Sequence, residues 1–295
     1  MIAIVGGLAT AVLWATTLIG SARSARLIGI WSSLAWIMLV GLVVTVPLLV
    51  LTGGPVQLSE RDLLHLAVAG IANSVGLLLV YTALRRGKVG VVGPIVSTEG
   101  AIGAALAVLA GDPVSGAAIA LLAVIAVGVV MAATERSAGA PELPGDAVAD
   151  SAAVAQPNAG VTAALALAGA VLFGINLYAM SRLATDLPLA WAALPARLAG
   201  VIGVTVPLIL SRRLRMTRAA LPFVVFVGCA EVAGVLTFGI SARESAAVAS
   251  VIASQFAGIA AIGAFLLFGE RLGRIQVAGV VTIAVGVALL AALQA

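Results

Sequence analysis

The sequence predicts an all-α membrane protein with ten transmembrane helices, arranged as two inverted five-helix repeats. Three observations predict this fold: the composition, the number of long apolar segments and a similarity between the two halves. Of the 295 residues, 62% are hydrophobic and only 9% are charged, whereas soluble domains contain about 25% charged residues. A soluble fold of this size could not hide so much apolar surface from water, so lipid must surround most of it.

Ten apolar segments are long enough to cross a bilayer as helices, which takes about 20 residues. They are Ala3–Gly20, Ile30–Leu51, Leu64–Leu84, Val89–Ala110, Ser115–Thr134, Val161–Ser181, Pro188–Leu210, Ala220–Ile240, Ser245–Phe268 and Ile275–Leu293. The alternating pattern of a β-barrel is absent, which leaves helices as the spanning structure. Residues 135–160 are rich in Ala, Pro, Asp, Glu and Ser, which predicts a flexible linker between a first unit (1–134) and a second unit (161–295).

The two units resemble each other at an offset of about 158 positions. At this offset Ile125–Val129 and Ile283–Val287 are identical, and Gly111 falls on Gly269. Because each unit has an odd number of spans, the second must enter the membrane from the opposite side. Inverted repeats of this kind place a binding site near the midplane, between the two copies.

Polar groups inside the spans are candidate binding residues, because a charge at the bilayer centre costs about 2.5–3.5 kcal/mol on insertion scales. Asn73 and Glu231 each lie between two glycines at three-residue steps, on a helix strip that a ligand or a backbone can approach. Asn73 either packs against a neighbouring helix or contacts a ligand. For Glu231 a functional role is favoured over packing, because a carboxyl group is costly as a packing residue. Glu99, in the fourth span, is the second candidate acid. We hypothesise that Glu99 or Glu231 exchanges a proton or attracts a cationic substrate.

Further polar and aromatic side chains complete the predicted binding site: Ser97, Gln255, Asn176, Tyr178, Tyr81 and Trp14. Ser97 and Gln255 are equivalent positions at the repeat offset. Trp14 is either an interface anchor or a cavity wall. Thr17 is expected to satisfy its own helix backbone, and Arg197 either to extend toward the interface or to pair with an acid.

Other residue patterns limit the function. Ser250 and Ser254, one helical turn apart, are expected to pack or to hydrogen-bond locally. The single His65 and the single Cys229 leave no metal cluster and no intramolecular disulfide. No phosphate-binding glycine loop or nucleophile elbow is present, so no enzyme activity is expected. The basic residues lie between apolar segments instead of on one solvated face, which argues against a nucleic-acid partner.

The segment Phe268–Gly273 resembles the Gly-Glu-Arg-Leu turn that precedes the last helix of EamA-type members of the drug/metabolite transporter superfamily. Tyr81–Leu84 resembles that family's aromatic-x-Ala-Leu ending of the third span, and Pro188–Arg197 resembles its start of the seventh. Family members often carry a proline before the turn, where this chain has Glu99 and Ala257. The resemblance implies secondary transport, commonly export, of amino acids, metabolites or drug-like compounds. It also implies no cofactor. We expect a plasma-membrane location, with lipid and a small-molecule substrate as partners and with protons as further partners through a buried Glu. A non-transporting receptor or scaffold is the alternative.

The basic residues also predict an orientation. Twelve of the 16 lie in loops that follow odd-numbered spans: Arg23, Arg26, Arg85, Arg86, Lys88, Arg136, Arg212, Arg213, Arg215, Arg218, Arg271 and Arg274. The positive-inside rule places these loops in the cytoplasm and both termini outside. The family resemblance implies the opposite orientation, with both termini in the cytoplasm.

Overall fold

The computed structural model describes residues 1–53, 58–86, 95–133, 159–256, 259 and 274–294. In chain order the helices are α1 (Ile2–Ile28), α2 (Ile30–Thr52), α3 (Glu60–Arg86), α4 (Glu99–Leu109), α5 (Gly116–Ala133), α6 (Ala159–Asp186), α7 (Ala190–Leu210, with a π-helical turn at Val201–Thr205), α8 (Leu221–Glu244), α9 (Ala246–Ala253) and α10 (Arg274–Gln294). The described ranges contain no strand, which confirms the all-α prediction for them. Most of the predicted linker (135–160) and the whole Phe268–Gly273 turn lie outside the described residues.

Six of these helices are long and apolar enough to cross a membrane. They are α1, α2, α3 over Glu60–Val80, α6 over Gly160–Asp186, α7 and α8. Large apolar side chains face outward, and those of Val50, Leu51, Leu109 and Leu210 are each more than three-quarters exposed. Soluble monomers rarely expose so many large apolar groups together. The outer surface is therefore suited to lipid, and the chain is a multi-pass membrane protein.

The helices of the two halves pack in a reciprocal pattern. The first helix of the first half, α1, packs along α8, and α3 packs along α6, which is the first helix of the second half. In the same way α2, α4 and α5 pack against α7, α9 and α10. Exchanging the two halves therefore reproduces the same helix pairs, as expected for repeats related by a two-fold axis.

Two turns interrupt segments that the sequence predicts as continuous spans. One turn lies at residues 97–98, before α4, and the other at residues 254–255, after α9. Hydroxyl side chains compete for the helical carbonyls there: Thr98 Oγ1 donates to Ile95 O at 2.7 Å and Ser254 Oγ donates to Val251 O at 2.8 Å. The expectation of unbroken helices is wrong at both positions, and the two turns share one equivalent pair at the repeat offset, Ser97 and Gln255.

The two ends of the bundle differ in charge. At one end, here called the terminus end, the amino group of Met1 pairs with Glu244 at 3.2 Å and Arg182 pairs with Asp112 at 2.6 Å. At the opposite end, called the basic end, α1 meets α2 and the loop between α7 and α8 packs on α2. This loop and the end of α1 carry Arg23, Arg26, Arg212, Arg213, Arg215 and Arg218.

Candidate functional site

Glu231 lies in an ion pair inside the bundle. Its Oε2 is 3.1 Å from Nη2 of Arg197 on α7, and its Oε1 accepts a hydrogen bond from Thr17 Oγ1 on α1 at 3.1 Å. The Arg197 side chain is 2% exposed and that of Glu231 is 29% exposed. The pair therefore reaches from the packed interior to open space, and Thr17 joins the first half of the chain to it.

The side chain of Arg197 packs against Gly41 and Met38 of α2. A Cβ added at Gly41 on α2 would lie 2.8 Å from Arg197 Cδ, so this glycine makes room for the side chain. Arg197 Nη1 lies 3.5 Å from Met38 Sδ, and Nε has no partner among the described residues. Of the two sequence alternatives for Arg197, the structure shows pairing with an acid, which is the arrangement a buried charge requires.

Trp14 forms an aromatic wall next to this ion pair. Gly234 lies three residues after Glu231 on α8, and a Cβ added there would lie 2.5 Å from Trp14 Nε1. The Trp14 ring stacks on Phe238 with centroids 6.1 Å apart and meets Phe256 edge-on at 6.3 Å. Trp14 thus packs between α1, α8 and the segment after α9.

Glu99 begins α4 and lies at a junction of three helices. It is 6% exposed, and the described residues give its carboxylate neither an ion pair nor a hydrogen bond. Glycines bring the neighbouring helices close: a Cβ at Gly103 would lie 3.1 Å from Ser250 Oγ on α9, and one at Gly174 on α6 would lie 3.0 Å from Glu99 O. A carboxyl group is therefore packed among α4, α6 and α9 without a compensating cation.

Three further buried polar atoms on α6 and at the end of α9 lack a partner among the described residues. They are Asn176 Oδ1, Ser250 Oγ and Gln255 Nε2, in side chains that are 8%, 0% and 2% exposed. Ser97, in the turn before α4, is 3% exposed. Buried polar atoms are nearly always hydrogen-bonded in proteins, so these three atoms, on α6, on α9 and just after α9, are candidates for a bond to a ligand or water.

The other predicted site residues lie elsewhere. Asn73 is half-buried on α3, where a Cβ at Gly70 would lie 3.2 Å from Pro195 O and one at Gly76 would lie 3.0 Å from Phe173. The glycine strip around Asn73 thus serves helix packing. Tyr81 lies on α3, and its side chain is outside the described part of the structure.

Tyr178 belongs to the terminus end of α6. Its ring lies 5.0 Å from the guanidinium carbon of Arg182 and meets His65 edge-on at 6.3 Å. Sequence reasoning did not single out Arg182 or its partner Asp112. One signal was available, because the repeat offset pairs Asp112 with Glu270, an acid with an acid.

The fold and the apolar outer surface define the class of protein as a multi-pass membrane protein with polar groups buried between its helices. Residues 1–134 match the model of the EamA-like transporter family, which confirms the resemblance and identifies the first half of the chain as an EamA-like unit. A crystal structure of a protein superposes with a TM-score of 0.75 at 18% identity, covering 99% of this chain and 97% of that chain. At that identity the likeness shows the fold alone. No curated protein matches the sequence.

Proposed function

We propose that the protein is a secondary transporter with ten transmembrane helices in two inverted repeats, which exports a small metabolite, amino acid or drug-like compound across the plasma membrane. The reciprocal pairing of α1 with α8 and of α3 with α6 supports the inverted repeats. The interruptions before α4 and after α9 support a transport site, because broken helices at corresponding positions of two repeats form the binding sites of many secondary transporters.

The observation that carries the proposal is the buried carboxyl group of Glu99, which has no ion pair among the described residues and lies where α4 packs on α6 and α9. Such groups are costly inside a membrane and are retained for function. Glu99 exchanges a proton during the transport cycle, because none of the described residues places a cation beside it to balance its charge. Glu231, whose charge Arg197 balances, instead contacts the substrate beside the aromatic wall of Trp14.

A transport assay separates this function from the alternative of a non-transporting receptor or scaffold. The substrate is first found by a thermal-shift screen of the purified protein against amino acids, polyamines and cationic dyes, since a bound ligand stabilises the folded state. Proteoliposomes are then loaded with that substrate under a pH gradient. We expect pH-driven transport from the wild type, and a protein that binds but does not move the compound would be a receptor.

Two acid variants assign the roles. Glu99→Gln is expected to keep substrate exchange across the membrane but to lose the response to the pH gradient. Glu231→Gln is expected to weaken substrate binding while the remaining transport still responds to pH. Glu60→Gln, at an exposed position on α3, is the matched control and should behave like the wild type. Unchanged pH dependence in both Glu99→Gln and Glu231→Gln would refute proton coupling through these residues.

The orientation follows from the charges at the two ends. The basic end carries arginines and, among the described residues, no acid, whereas Glu60, Asp62, Asp112, Asp186 and Glu244 lie at the terminus end. We propose that the basic end faces the cytoplasm and that both termini lie outside. A tag at the N-terminus should then react with an impermeant reagent on intact cells; labelling only after permeabilisation would reverse the orientation.

A further inference from the structure

A cavity of about 190 Å³ opens at the terminus end, apart from Glu99 and Glu231. The turn after α4, the ends of α6 and α8 and the start of α9 form its walls. Its charged and polar lining comprises Asp112, Arg182, Thr185, Arg243, Glu244 and Ser245. A water molecule occupies about 30 Å³ of liquid, so the cavity has room for several waters or a small solute.

The lining of this cavity carries one positive charge without an acidic partner. Asp112 pairs with Arg182, and Glu244 pairs with the amino group of Met1. Arg243 forms no ion pair within the described ranges. Its Nε donates instead to the carbonyl of Ala184 in the last turn of α6, and its Nη2 donates to that of Leu187 just after the helix. These bonds order the side chain but leave its formal charge unbalanced. The cavity is therefore electrostatically suited to an anion.

Two arginine side chains and the start of a helix line the same space. Arg182 uses Nη2 for Asp112, while its Nε is buried without a partner among the described residues. The helix α9 begins at the cavity wall with Ser245 as its N-cap, whose side chain accepts from Val248 N. The first amides of a helix have no partner within the helix and attract negative charge. Two guanidinium groups and a helix start thus line one small volume.

We propose that this cavity binds a small oxyanion, the carboxylate or phosphate group of a solute, between Arg243, Arg182 and the start of α9. Guanidinium groups bind such anions through paired, charge-assisted hydrogen bonds. The bound anion competes with Asp112 for Arg182. Because Asp112 belongs to the first half of the chain and Arg182 to the second, occupancy weakens a contact that joins the halves at this end. The site does not depend on the proposed transport function.

The test uses the full-length protein in a neutral detergent with sodium acetate as the probe. The thermal unfolding midpoint is followed against acetate concentration at constant ionic strength, and a saturable rise gives an apparent Kd. We expect Arg243→Gln to raise this Kd about tenfold, the equivalent of one charge-assisted hydrogen bond. Arg212→Gln, an exposed arginine at the basic end, should leave it unchanged. No saturable rise in the wild type, or equal Kd values in wild type and Arg243→Gln, would overturn the proposal.

A second variant covers the case in which Arg243→Gln does not fold. Asp112→Asn removes the competing carboxylate, so it should lower the apparent Kd for acetate several-fold, a gain that misfolding cannot produce. Unchanged or weaker binding in this variant contradicts the site. Titration in phosphatidylcholine and phosphatidylglycerol nanodiscs then tests the source of the anion. Equal binding is expected for a solute site, and loss of binding in phosphatidylglycerol would assign the cavity to a lipid headgroup instead.

Discussion

Glu231 and Glu99 are both carboxyl groups inside an apolar bundle, but their neighbours differ. Glu231 has Arg197 Nη2 and the Thr17 hydroxyl each at 3.1 Å, and it remains partly exposed. Glu99 is nearly fully buried and has no cation beside it in the described structure. The folded protein balances the charge of Glu231, whereas the described residues provide no group that balances the charge of Glu99.

The largest expected effect on stability comes from removing Arg197, the ion-pair partner of Glu231. Arg197→Met removes the balancing charge and leaves Glu231 unpaired, which should destabilise the protein by about 3 kcal/mol. This is the lower end of the range for buried pairs, because Glu231 is 29% exposed and water screens part of the loss. The measurement is the unfolding free energy in detergent, from denaturant titration.

The double variant Arg197→Met/Glu231→Gln is the control for this prediction. It removes both charges and should recover most of the lost stability, because exchanging a buried pair for neutral groups is often nearly neutral. If the double variant is as unstable as Arg197→Met alone, packing around Gly41 and not charge balance explains the effect, and the contrast with Glu99 is lost.

A smaller loss of stability is expected from adding a side chain where α4 packs on α9. A Cβ at Gly100 would lie 2.5 Å from Ser250 O, so Gly100→Ala must push the two helices apart. Overpacking of this kind costs about 1–3 kcal/mol. The matched control is Gly116→Ala on α5, where a Cβ meets nothing within 4 Å; alanine should there be neutral or stabilising by up to about 1 kcal/mol. Equal stabilities of the two variants would show that the Glu99 junction is not closely packed.

The lengths of the apolar segments predicted the helices well where lipid decides the length. The prediction of Ile30–Leu51 compares with α2 at Ile30–Thr52. It was less accurate for α1, which continues to Ile28 instead of ending at Gly20, because hydropathy marks the thickness of the bilayer and not the end of backbone hydrogen bonding. The two interrupting turns were missed because they depend on local hydroxyl bonds, made by Thr98 and Ser254.

The sequence was enough to predict which residues belong to the candidate site, but not which residues they contact. The cost of a carboxyl group in lipid is enough to single out Glu231 and Glu99. Whether a cation lies beside each acid depends on which faces of distant helices pack together. The sequence of an almost uniformly apolar helix does not show which face packs against which neighbour. Thr17 illustrates the limit: its hydroxyl reaches the Trp14 carbonyl, as expected, and also Glu231. The second contact requires α1 to pack on α8.

The smallest expected effect on stability comes from removing a hydroxyl group, and it should differ between a hydroxyl that has a hydrogen-bond partner and one that has none. Thr17→Val removes the donor to Glu231 and should cost about 1.5 kcal/mol, whereas Ser250→Ala removes a buried hydroxyl without a partner and should be neutral within about 0.5 kcal/mol. Both are measured by denaturant titration without ligand. If Ser250→Ala costs as much as Thr17→Val, Ser250 is already bonded in the resting protein. A neutral result instead agrees with a Ser250 hydroxyl that has no partner in the protein without ligand.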